Sequence, residues 1–461
     1  MPNQSQSRRQ FCRAMGITMA GAGLSGCTAP RRKRQAETAA PDKPNFIIIL
    51  TDDQGYSDLG CYGATRIRTP RIDRMAAEGA RLTSFYTQTV CGPARAALLT
   101  GCYPVRVMRA GDDIGKWRLP TSEITIAEVL KSAGYATACT GKWDLSGRAV
   151  REGELPNDQG FDYYFGTLGA NDGGRVRLFE NKEPLGETDD MGCLTELYTD
   201  KALGFLREHK DEPFFLYIPY TMPHVVLGAS ERFRGKSAAG LYGDVIEEID
   251  WNVGRVVDAV AECGLSEKTY VIFASDNGPW LCMGENGGAC RPLRSGKGSA
   301  WEGGFRVPSI IRAPGRVPAG TTIDEMAATL DVLPTLAALG GAEVPDDRVI
   351  DGVDQSGFIT GQGGSARDNF LYYVQDNLHA VRWGRWKLAL PERSRFYPYA
   401  QDSAPVRAPE LYDLATDIGE EHDVADRHPD IVVRLLGMAE RAREEIGDAD
   451  RIGATARSRP D

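Results

Sequence analysis

The chain has 461 residues, 42% hydrophobic and 26% charged, with a formal net charge of −10. That length predicts one large domain and a smaller companion rather than a single small core. Residues 1–42 carry a net +5, so the remainder carries −15, and an acidic body excludes nucleic-acid binding through a general phosphate field while leaving room for an anionic ligand in a local basic pocket.

The first 27 residues read as a targeting segment rather than structure. Ser7-Arg8-Arg9-Gln10-Phe11 resembles a twin-arginine export signal, and residues 15–24 form a mildly apolar run too short to span a membrane. Leu24-Ser25-Gly26-Cys27 resembles a bacterial lipobox, which predicts an exported periplasmic or cell-envelope lipoprotein anchored through Cys27; the alternative is cleavage at another small residue, with Cys27 discarded. Residues 28–44 are polar, basic and proline-bearing and read as a linker.

Residues 45–50 are a continuous apolar run that predicts a strand buried on both faces. It ends in Thr51-Asp52-Asp53, where open α/β sheets place their ligands. Adjacent buried carboxylates repel each other, and a divalent cation resolves that conflict; a solvated acidic turn is the alternative. Thr69 and Pro70 predict a helix start, with Thr69 as its N-cap. Residues 82–86 lead into Cys91-Gly92-Pro93-Ala94-Arg95, where Pro93 suits a first helical turn and Cys91 falls at a helix N-terminus that favours an anion. Arg95 lies one turn on.

Residues 123–133 show helical spacing, and 135–140 read as a strand delivering Lys142. Residues 158–174 are glycine-rich and predict an irregular loop over a cleft. A helix is predicted at 197–209, a buried strand at 213–218 leading to His224, and a long helix at 244–263. A strand at 270–275 terminates in Asp276-Asn277-Gly278, and another spans 307–312. Strands alternating with helices, with polar clusters after strand ends, predict a doubly wound α/β sheet. The texture changes at 360–368; beyond it, 369–374, 379–390 and 410–414 read as antiparallel strands and 430–446 as a helix, with 448–461 expected to be disordered. The resulting division is a catalytic domain over 45–360 and an α+β subdomain over 361–447. Among ten cysteines, no zinc or redox spacing occurs; Cys282 and Cys290 could close a loop in an oxidising compartment, against the alternative of buried thiols.

Cys91-Gly92-Pro93-Ala94-Arg95 followed by Leu98-Leu99-Thr100-Gly101 resembles the sulfatase signature Cys-x-Pro-x-Arg, with Ala94 where serine is frequent. The resemblance continues, in the family's order, through Asp52-Asp53-Gln54-Gly55-Tyr56, Gly141-Lys142-Trp143, Pro223-His224, Asp276-Asn277-Gly278 and Gly296-Lys297-Gly298. It implies a fold similar to alkaline phosphatase with a small C-terminal antiparallel sheet. It also implies hydrolysis of a sulfate ester, plausibly on a sulfated glycan, by a formylglycine that a maturation enzyme makes from Cys91. The family's positions imply calcium held by Asp52, Asp53, Asp276, Asn277 and residue 91, and an all-oxygen protein set suits that hard cation. Arg95 would stabilise the hydrated aldehyde, Lys142 and Lys297 would contact sulfate, and His224 would bind sulfate or protonate the leaving oxygen. Asn171 falls where the family places a polar sulfate or sugar contact.

One position departs. The family commonly has histidine after Lys-Trp, and here Asp144 stands in its place. That histidine accepts a proton as sulfate is expelled; a carboxylate can do so too, at the cost of a negative charge beside sulfate. Two other readings stay open: a phosphonate or phosphodiester hydrolase on the same scaffold, and a weakly active or non-catalytic glycan-binding relative.

Overall fold

The structure is a computed structural model that describes residues 43–108, 117–391, 397–402 and 405–457. The export signal, Cys27 and most of the linker lie outside the described residues.

An eleven-stranded sheet forms the centre. Its strands are β1 Asn45–Thr51, β2 Ala80–Tyr86, β3 Ala136–Lys142, β4 Tyr163–Thr167, β5 Val176–Glu180, β6 Glu183–Thr188, β7 Phe214–Pro219, β8 Thr269–Ser275, β9 Arg306–Arg312, β10 Thr321–Ile323 and β11 Ala327–Ala328. The order is β10-β2-β9-β8-β1-β7-β3-β4-β5-β6, with β11 beside β2. The middle, β8-β1-β7-β3-β4, is parallel, and antiparallel pairs flank it on both sides.

The apolar run of β1 shows why both faces are covered. Phe46, Ile48 and Leu50 enter one core with residues of α2 (Cys91–Thr100), α3 (Ile126–Ser132) and α6 (Val332–Gly340). Ile47 and Ile49 enter the other, with α1 (Pro70–Ala77), α4 (Leu194–Glu208) and α5 (Gly240–Glu262). Side chains alternate across a strand, so an unbroken apolar run needs a helical layer on each face. The expected doubly wound α/β fold is what the chain adopts.

The smaller unit is an antiparallel sheet of β12 Asn369–Val374, β13 Asn377–Trp383, β14 Trp386–Ala389 and β15 Glu410–Asp413, backed by α7 Pro429–Glu445. Its Leu378, Val381 and Leu388 join the same core as α2. A buried polar knot also ties the units together: Lys387 Nζ lies 3.2 Å from Glu302 and 2.6 Å from Glu420, all three without solvent access.

Several local expectations change. The region 158–174 is not wholly irregular: Tyr163–Thr167 continues the sheet beside β3, because its short apolar run can bury both faces there. A hairpin of β5 and β6 follows, turning at Asn181 in the left-handed region (φ 52°). Thr69 precedes α1, but its hydroxyl donates to Asp73 instead of capping the helix. The segment 379–390 is two strands with a turn at Gly384 (φ 56°). The tail expected to be disordered is structured as far as Arg457: residues 447–452 form a hairpin, and Arg457 bonds Glu123 at 2.9 Å. No disulfide joins Cys282 and Cys290; their sulfurs lie 2.8 Å from the carbonyls of Tyr399 and Ser295, respectively.

Candidate active site

The parallel strands β8, β1, β7 and β3 are neighbours, so their C-terminal ends line one edge of the sheet. Thr51 pairs with Ser275, which brings Asp52-Asp53 beside Asp276-Asn277. Leu50 pairs with Pro219, from which the chain continues to His224, and β3 ends in Lys142. Helix α2 begins at Cys91 over this edge. Its entry is tight: a Cβ on Gly92 would fall 1.1 Å from Trp117 Cδ1, so only glycine lets the buried Trp117 reach that backbone.

Asp52, Asp53, Cys91, Arg95, Lys142, Asp144, His224, Asp276, Asn277 and Lys297 are all buried. Arg95 Nη2 lies 2.9 Å from Asp276 Oδ2 and 3.3 Å from Asp52 Oδ2, while Nη1 donates to the Lys142 carbonyl. Its fork thus braces the carboxylates. Lys142 Nζ lies 2.6 Å from Asp52 and 3.6 Å from Asp144. Lys297 Nζ lies 2.6 Å from Asp53 and 3.8 Å from Cys91 Sγ. His224 Nε2 sits 3.7 Å from Asp53 and 3.6 Å from Asp172. The other ring nitrogen donates to the Val225 carbonyl, which leaves Nε2 facing the site.

Burial and charge pull these groups in opposite directions. Burial raises Asp52, but Lys142, His224, Arg95 and Lys297 outweigh it and hold the carboxyl below its usual range. Burial, followed by repulsion from Asp52, pushes Asp276 up to about 7 despite Arg95. Burial pushes the Cys91 thiol up to about 12, with Lys142 and Lys297 opposing. An unmodified thiol here is therefore protonated and a poor nucleophile. Burial and then Lys297 lower His224, so the ring is neutral near pH 7.

The donor set suits a hard divalent cation. One ligand atom from each of Asp52, Asp53, Cys91 and His224 lies within 4.8 Å of the others. Asp52 Oδ1 and Asn277 Oδ1 are buried oxygens without a hydrogen-bond partner. Asn277 Nδ2 donates to Asp53 Oδ1 at 2.7 Å and turns its own carbonyl oxygen free. Buried acceptors without donors are costly, and a cation satisfies them together while easing the repulsion at Asp276.

A sequence profile of the sulfatase family matches residues 44–342, and one of the C-terminal region of aryl-sulfatase matches residues 365–459. The chain belongs to the sulfatase family. Human arylsulfatase A is 35% identical over 447 residues, covering 87% of this chain and 88% of the relative. The N-acetylgalactosamine-6-O-sulfatase of Bacteroides thetaiotaomicron is 33% identical over 500 residues, covering 91% and 96%. A solved structure from the metabolism of multiple glycosaminoglycans by Bacteroides thetaiotaomicron superposes with a TM-score of 0.77 at 29% identity, covering 87% of this chain and 99% of that one. This sulfatase is a hydrolase of sulfate esters on an alkaline-phosphatase-like fold.

Two residues of the sulfatase site have partners that no local sequence pattern gives. Asn171 Nδ2 donates to the carbonyls of His224 and Val226, so its amide holds the His224 loop, and only its unpartnered Oδ1 remains for a ligand. Asp144 is buried beside Lys142 and bonded by Arg148. Arg148, Asp172, Trp280 and Tyr399 escaped sequence reasoning altogether. Only Arg148 carried a signal, a cation four residues after Asp144. Trp280 and Tyr399 are half-buried with ring centroids 5.3 Å apart, and Lys297 Nζ lies 4.8 Å from the Trp280 ring.

Proposed function

We propose that this sulfatase removes sulfate from a sulfated glycan, using a formylglycine made from Cys91 and a calcium ion at Asp52, Asp53, Asp276, Asn277 and residue 91. The observation that carries the reading is the convergence of Asp52, Asp53, Cys91 and His224 on one buried point, with Lys142 and Lys297 beside it. The cysteine itself argues for modification: its thiol is held protonated, and a hydrated aldehyde offers a hydroxyl nucleophile instead. Held by these residues, a calcium ion would supply Lewis-acid stabilisation of negative charge at the reacting group.

The remaining groups belong to this chain. Lys142 and Lys297, which lie beside Asp52 and Asp53, would turn to the sulfate oxygens and oppose the charge that develops there. Arg95 stays on Asp52 and Asp276 and keeps the ligand carboxylates in place. His224 Nε2 faces the leaving oxygen, and it can pass a proton to the departing alcohol only from the imidazolium form, with both ring nitrogens protonated. Asp144 accepts the proton released when sulfate is expelled.

The glycan reading is supported by the similarity to the Bacteroides N-acetylgalactosamine-6-O-sulfatase and by Trp280 and Tyr399 at the site. Aromatic faces present apolar surface against which the C–H faces of a sugar ring can pack. The basic twin-arginine segment and lipobox support export, with Cys27 as the anchor and a periplasmic or envelope location where such glycans are met.

The test is the mass of the tryptic peptide spanning residues 82–95 from protein made with a formylglycine-generating enzyme, followed by turnover of sulfated sugars. An aldehyde at residue 91 with calcium-dependent sulfate release is the expected result. An unmodified cysteine in fully active protein overturns the formylglycine assignment.

A further inference from the structure

Asp144 leaves the strand edge in the left-handed region (φ 56°), and Arg148, one short loop later, does the same (φ 61°). The base of this loop is rigid. Trp143 donates its backbone N–H to Thr167 and its indole to the Glu154 carbonyl, both at 2.9 Å, and Asp144 N–H bonds the Leu168 carbonyl. The Asp144 side chain is buried, and its two oxygens are treated differently. Oδ1 accepts from Arg148 Nε at 3.3 Å. Oδ2 has no hydrogen-bond donor and lies 3.6 Å from Lys142 Nζ, which is committed to Asp52. Arg148 Nη1 reaches on to Asp172 Oδ2 at 2.7 Å, and Asp172 Oδ1 lies 3.6 Å from His224 Nε2. Asp144, Arg148, Asp172 and His224 thus form one row of neighbouring polar groups along the site.

We propose that Arg148 is a positioning residue that makes an aspartate workable where sulfatases commonly carry a histidine. Its guanidinium holds Asp144 by one oxygen and leaves the other without a donor, on the side of Lys142. Its charge offsets the carboxylate that would otherwise repel the sulfate anion. Through Asp172 it also ties that carboxylate to His224 on the other side of the reacting group. A neutral histidine at position 144 would bring no negative charge to offset, so the arginine is needed only because residue 144 is acidic. This inference rests on the sulfatase reading above.

The experiment uses the matured, calcium-loaded enzyme with 4-nitrophenyl sulfate, comparing Arg148→Ala, Arg148→Lys and Asp144→His alone and with Arg148→Ala. Arg148→Ala should lower kcat/KM by about 10- to 100-fold, as loss of an orienting partner does. Arg148→Lys should restore part of the loss. In the Asp144→His background the same Arg148→Ala change should cost under about threefold, the departure from additivity that marks coupled neighbours. Competitive inhibition by inorganic sulfate should weaken in Arg148→Ala and stay unaltered by the same change in the Asp144→His background. An equal loss of kcat/KM in both backgrounds, or inhibition by sulfate weakened equally in both, overturns the inference and makes Arg148 a general support or a sulfate contact. A parent enzyme that carries the aldehyde yet turns over no sulfate ester overturns the catalytic reading instead, and this inference with it.

Discussion

Replacing Lys142 with methionine should cost the fold more without calcium than with it. Lys142 Nζ is a close partner of Asp52, at 2.6 Å, and neither side chain has solvent access. Methionine keeps much of the stem's volume and removes the charge. Breaking one side of a buried ion pair costs about 3–5 kcal/mol because a carboxylate is left uncompensated. Arg95 remains 3.3 Å from Asp52, which places the expected loss near the lower bound, about 3 kcal/mol in EGTA. In calcium the cation supplies the missing charge, and the loss should fall to about 1 kcal/mol, a difference within the roughly 2.7 kcal/mol that a ligand at a hundred times its dissociation constant contributes. Urea unfolding followed by tryptophan fluorescence, in calcium and in EGTA, measures both values. Turnover should also fall by about 10²–10³, the usual consequence of removing one fixed donor from a developing anion. An equal destabilisation in calcium and in EGTA would refute the claim that Asp52 faces the cation.

Three further outcomes follow from other parts of the molecule. Lys387→Met should destabilise the protein by about 3–5 kcal/mol by stranding Glu302 and Glu420, and adding Glu420→Gln should recover most of that in the same urea assay, because burial already pushes Glu420 up to about 7 and an amide there needs no counter-charge. Burial lowers His379 to about 4 against Asp448, so the native ring stays neutral while the unfolded one protonates; stability should be full above about pH 6.5 and fall by up to about 3 kcal/mol toward pH 4, and His379→Gln should flatten that part of the profile. Trp280→Ala and Tyr399→Ala should each raise KM for a sulfated oligosaccharide by about tenfold while leaving 4-nitrophenyl sulfate within about threefold, since the rings pack on sugar rather than on sulfate; equal effects on both substrates would remove them from sugar binding.

Much of the catalytic centre was legible before folding because its signals are local. An apolar run such as 45–50 can only be a doubly covered strand, and carboxylates placed directly after it fall at a sheet edge wherever that strand sits. The same holds for Asp276 and Asn277 after β8 and for Lys142 at the end of β3. Residues 163–167 were missed because a five-residue run that follows Asp162 and contains Gly166 carries too little periodicity to stand out from a loop.

Sequence alone determined the nature of the strands and the chemistry at their ends, since both depend on residues adjacent in the chain. Tertiary structure decided which ends meet. The order β8-β1-β7-β3 brings Asp276 beside Asp52 and puts His224 and Lys142 on the same edge, across separations that no local pattern encodes. It also decided the company of Asp144. A lone carboxylate in place of a histidine reads as a defect until the loop folds back and sets Arg148 against one oxygen and Asp172 against the arginine. Charge balance in a buried site is a sum over neighbours in space, and only the folded chain defines those neighbours.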